Sequence, residues 1–118
     1  MKPNTYFIDI DGCIFKHWDK GAAHQWLGGD VEVLPGTREY LNDLEREGHH
    51  IVLVTARPEI MRLRLEQLLD AFEIIRHQLV MGVTSGTRVL INDTKPSGPG
   101  LAAVAIEVER NAGLGSIS

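Results

Sequence analysis

In the stretch FIDIDGCIFKH, residues 7–17, two aspartates one residue apart end an apolar run and are followed by glycine. Paired carboxylates repel one another and are costly to desolvate, so Asp9 and Asp11 call for a neutralising partner. Groups able to supply one recur downstream. LVTAR, residues 53–57, carries Thr55, Ala56 and Arg57, and LINDTK, residues 90–95, carries Asp93 and Lys95. Asp9, Asp11 and Asp93 offer hard oxygen ligands of the kind Mg²⁺ takes. The Thr55 hydroxyl and nearby amides can hold phosphate oxygens, and Lys95 adds a point charge. The chemistry implied is that of a metal ion and a phosphoryl group.

These residues must be carried by elements that bring them together. Residues 5–10 are β-branched and aromatic and predict a buried strand. Residues 51–54 predict a second strand, 89–91 a third and 103–108 a fourth, with a further short strand inside 73–81. A helix is predicted to open at Pro35-Gly36-Thr37, with Tyr40, Leu41 and Leu44 on one face, and to stop at Gly48. Pro58 suits the first turn of another, in which Met61, Leu65, Leu68, Leu69 and Phe72 repeat at helical spacing as core. Alternation of strand and helix predicts an α/β fold, a three-layer Rossmann-like parallel sheet. Ligand sites in such sheets gather at the carboxyl ends of the strands, where all three clusters fall. The connection GVTSGT, residues 82–87, is too short for a crossover helix. Residues 13–35 form an insertion in an otherwise single domain spanning 1–118.

The combination FIDIDG, LVTAR and LIND, in that order, resembles the haloacid dehalogenase superfamily of phosphatases, in a small form with a minimal cap. The resemblance spans about residues 5–95 and implies Asp9 as nucleophile, Asp11 as general acid/base and Asp93 as Mg²⁺ ligand. Each role has a physical reason. A carboxylate attacking phosphorus divides hydrolysis into two easier steps, provided that cations neutralise the two anions. Residues i and i+2 of a strand point to the same side. Asp11 can therefore protonate the leaving oxygen and then activate water. Gly12 permits a sharp turn beside the phosphate. The family's basic residue has two candidates. Arg88 opens the strand expected at 89–91, which puts it roughly 16 Å from the active edge at ~3.3 Å per residue. Lys95 follows Asp93 on that edge and is the expected cation.

Other features narrow the reading. The formal charge of −4 over 118 residues leaves no basic footprint for nucleic acid, and no cationic run marks a membrane surface. The N-terminal apolar run is broken by Asp9 and Asp11 and is not a signal peptide, so a soluble cytoplasmic protein is expected. Cys13 is the sole cysteine and lacks the C-x₅-R context of cysteine phosphatases, since residue 19 is Asp; a small buried residue is expected there. His49 and His50, past a helix end, are expected in solvent. Lys16 and His17, with Trp18, Lys20, His24 and Trp26, are the expected substrate contacts, joined by Gly12, Ala56 and Arg57. Arg57 can alternatively pair with a surface acid. The expected partner is a small phosphorylated molecule, a sugar phosphate or related intermediate, with a homo-oligomer closing the open site. Two other readings remain: a phospho-receiver-like signalling domain, which normally carries adjacent acids in place of DxDG, and a phosphate-binding relic without turnover.

Overall fold

β2, His50–Val54, holds the centre of the fold because Ile51, Val52 and Leu53 are all buried, as a strand covered on both faces requires. The computed structural model describes residues 2–17, 31–94 and 100–117. β1 spans Thr5–Asp9 and β3 spans Gln78–Val80, and the three strands run parallel in the order β1-β2-β3. The register pairs Asp9 with Val54 and Val54 with Val80, so all three strands end level. β1 is half-covered: Ile8 is buried while Phe7, pointing the other way, is 61% exposed.

Helices α1, Thr37–Arg46, and α2, Arg62–Ala71, occupy the two crossovers. α1 buries Thr37, Leu41 and Leu44, with Tyr40 packed against the core, and Gly48 leaves its last turn with φ 84°. α2 follows a 3₁₀ turn at Glu59–Met61 and buries Leu65, Leu68 and Leu69, with Met61 and Phe72 against the same core. Pro58 precedes that turn in an extended conformation, just outside the helix it was expected to start. Leu114, in a second 3₁₀ turn at Leu114–Ser116, returns to the core from the far end of the chain. Among the described residues no helix is long and apolar enough to cross a membrane.

Two expected strands are not formed. Residues 89–91 and 103–108 carry no regular structure, and Val89, Leu90, Ile91, Val104 and Ile106 are exposed. The chain leaves β3 at the edge opposite β1. A parallel neighbour needs a crossover of a dozen residues or more, and 82–87 supply neither that length nor a helix. The α/β character and the parallel sheet hold; the wider sheet does not.

Candidate functional site

The carboxyl ends of β1, β2 and β3 lie side by side, and the segments leaving them build the site. After β1 the chain folds into a compact turn in which the amides of Cys13, Ile14 and Phe15 all donate to the Ile10 carbonyl, at 3.2, 2.9 and 3.1 Å. The Gly12 amide donates to the Phe15 carbonyl at 2.8 Å, and Gly12 sits at φ 93°, a conformation that a side chain would strain. This turn keeps Asp9 and Asp11 on one edge. The Asp9 carboxylate accepts from the Ile10 amide at 3.0 Å. Burial holds the Asp9 carboxyl above the ordinary carboxylate range; Arg88 opposes this, Asp11 reinforces it, and the Ile10 amide and His17 oppose it further.

Thr55 leaves β2 fully buried, and its hydroxyl lies 3.4 Å from Asp11 Oδ2 while accepting from the Arg57 amide at 3.1 Å. Ala56 between them is exposed. Arg57 is paired with an acid of the site itself. Its guanidinium forks the Asp11 carboxylate, Nε to Oδ2 at 3.0 Å and an Nη to Oδ1 at 2.5 Å. Its side chain is 2% exposed, so it meets neither a surface acid nor open solvent.

Lys16 and His17 stand half-buried beside this edge. The His17 amide donates to Asn111 Oδ1 at 2.7 Å, Asn111 Nδ2 donates to the His17 carbonyl at 3.2 Å, and the Asn111 amide donates to the Gly12 carbonyl at 2.9 Å. His17 Nδ1 is buried with no hydrogen-bond partner among the described residues. Asn111 went unread in the sequence; an asparagine before Ala-Gly in a C-terminal stretch carries no motif that marks it.

Asp93 is not brought to this edge. It is exposed, in the irregular stretch after β3, and no three His, Cys, Asp or Glu side chains among the described residues gather to hold a metal ion. The expected set of Asp9, Asp11 and Asp93 is therefore incomplete here, because the strand that was to present Asp93 is not formed. Asp9 and Asp11 still offer two hard oxygen donors, and Mg²⁺ commonly takes one or two carboxylates and fills its remaining positions with water and phosphate. The missing strand also removes the premise that placed Arg88 at the wrong end of the sheet: Arg88 is the charge that most strongly favours ionised Asp9. Lys95, Trp18, Lys20, His24 and Trp26 lie outside the described residues.

Cys13 is half-buried, and burial followed by the Asp9 and Asp11 charges pushes its thiol up to about 11, which keeps it protonated and unreactive. His50 is exposed as expected, whereas His49 is half-buried against Tyr6 and accepts from the Asn4 amide at 2.9 Å. Comparison with protein-family models, curated proteins and solved structures returned no match to this chain.

Proposed function

We propose that the chain is an Mg²⁺-dependent phosphomonoester hydrolase of the haloacid dehalogenase type, working through a phosphoaspartyl intermediate. The observation that carries this reading is the pair of carboxylates, Asp9 and Asp11, on the carboxyl edge of a parallel sheet with a net unfavourable environment at Asp9. Structural acids are not usually left in that state; sites that receive a cation are. Asp9 is the nucleophile: an Oδ forms the bond to phosphorus as the ester oxygen leaves. Asp11 gives that oxygen its proton, then takes one from the water that cleaves the acyl phosphate. Thr55 stands ready to hold a phosphoryl oxygen, and Lys95 is the cation that steadies the anions. Mg²⁺, held by the Asp9 carboxylate and the Asp11 main-chain carbonyl, would supply charge neutralisation between nucleophile and phosphate.

The substrate class is a small phosphate monoester such as a sugar phosphate, and neighbouring copies of the chain close the open edge. A phosphate-release screen with Mg²⁺ over sugar phosphates, nucleotides and phosphopeptides tests the activity. Turnover on a sugar phosphate, abolished by chelation and by Asp9→Asn, is expected. An Asp9→Asn variant keeping a tenth of the wild-type rate would overturn the nucleophile assignment, and full activity after chelation would overturn the metal.

A further inference from the structure

Arg57 ties together the segments that leave all three strands. Its side chain reaches Asp11 beyond β1, its amide donates to the Thr55 hydroxyl beyond β2, and its carbonyl accepts from the Gly82 amide beyond β3 at 2.8 Å. Within the Asp11–Arg57 pair, the carboxylate faces outward: the Asp11 side chain is 21% exposed and the Arg57 side chain 2%. A ligand reaching this edge meets Asp11 first. A carboxylate has about four lone-pair sites. The guanidinium fork occupies one on each oxygen, and the Thr55 hydroxyl, at 3.4 Å, approaches a second on Oδ2. These contacts fill two sites on Oδ2 and one on Oδ1, so Oδ1 is the oxygen with a site they leave over. Two parallel N–H···O contacts also fix the plane of the carboxylate, which a single contact does not.

We propose that Arg57 is a positioning residue: it aims Asp11, carrying a proton on Oδ1, at the leaving oxygen of the substrate, holds the carboxylate left once that proton has moved to the leaving oxygen, and does not bind the phosphoryl group. The proposal rests on the phosphatase reading above. A fixed acid matters most when the leaving group is a poor one. An alkoxide needs its proton in the transition state, and a p-nitrophenolate does not.

The test pairs Arg57→Ala and Arg57→Lys with two substrates, p-nitrophenyl phosphate and an alkyl phosphate, in Mg²⁺. On the alkyl phosphate kcat should fall about 10²-fold in the alanine variant, the lower range for removing a general acid. On p-nitrophenyl phosphate it should fall only a few-fold, with KM unchanged for both. Lysine, offering one contact where the fork offers two, should recover part of the alkyl rate. Equal losses on the two substrates with raised KM would make Arg57 a phosphate ligand and overturn the proposal. A second measurement needs neither turnover nor a folded Arg57→Ala variant. The Arg57 Nε–H resonance of the wild-type chain should stay in place when inorganic phosphate is added and should move in Asp11→Ala. Displacement by phosphate would overturn the proposal. Wild-type chain that releases no phosphate from any monoester would overturn the phosphatase reading, and the leaving-group role of Arg57 with it, while the resonance would still show whether Arg57 holds Asp11 or phosphate.

Discussion

The raised carboxyl of Asp9 has a consequence for stability that is separate from any reaction. Burial is the main cause, opposed by Arg88 and reinforced by Asp11. The native state therefore holds this proton more tightly than the unfolded chain does. Stability then falls as pH rises from the ordinary carboxylate range through the raised native value, and the full penalty is present at neutral pH. Asp9→Asn removes it. In buffer free of divalent cations, the asparagine variant should melt higher than wild type at pH 7, and the gap should close as pH falls toward about 4, the unperturbed value of aspartate. Paired thermal scans across that range check this. A variant that melts lower at pH 7 would mean that its neighbours hold Asp9 as an ion. A residue that costs stability and is useful only in the presence of a cation is the pattern expected of a site.

At the scale of elements, one side chain completes the sheet where the main chain does not. His77 Nδ1 accepts from the buried Ile51 amide at 2.8 Å, while its own amide donates to the Ile51 carbonyl at 2.8 Å and its Nε2 meets Glu45 at 2.7 Å. His77→Ala strands that amide and should cost about 1–3 kcal/mol in urea denaturation. His50→Ala removes an exposed ring stacked on His77, with its 3.1 Å contact to Gln78 Oε1, and should stay within about 0.5 kcal/mol. Equal losses would show that the stacking, not the ladder contact, carries the energy. The elements legible from sequence share one property: their signal is local. β1, β2 and both helices were readable from apolar spacing, and β3 from a short run of the right composition. Residues 89–91 and 103–108 look the same by composition, yet strand pairing depends on what the chain can reach, and the six residues of GVTSGT do not return it to β1. The shared edge of Asp9, Asp11 and Thr55 was legible because strand ends fix it. Asp93 was not, because its place depended on a strand that is not formed. The Arg57 fork and the Asn111 clamp were not legible because each joins segments far apart in sequence.

The whole molecule measures 50 × 28 × 26 Å, and its radius of gyration of 14.9 Å exceeds the roughly 13.5 Å of a compact chain of this length. The excess fits the exposed stretch after β3. That stretch carries Val89, Leu90, Ile91, Leu101, Val104 and Ile106 in solvent, and among the described residues no strand pairs with the free edge of β1 beside exposed Phe7. Exposed apolar runs beside an open sheet edge favour association. Sedimentation should show the chain associating as its concentration rises, and Ile91→Lys with Leu101→Lys should shift it toward monomer. A wild-type chain that stays monomeric throughout would remove the oligomer from the proposed function. The clamp between Asn111 and His17 spans 94 positions and also holds the Gly12 turn. During synthesis His17 and the turn before it leave the ribosome 94 positions ahead of Asn111, the residue that secures that turn. The nascent chain thus carries Asp9 and Asp11 through that interval without the fastening that organises their turn.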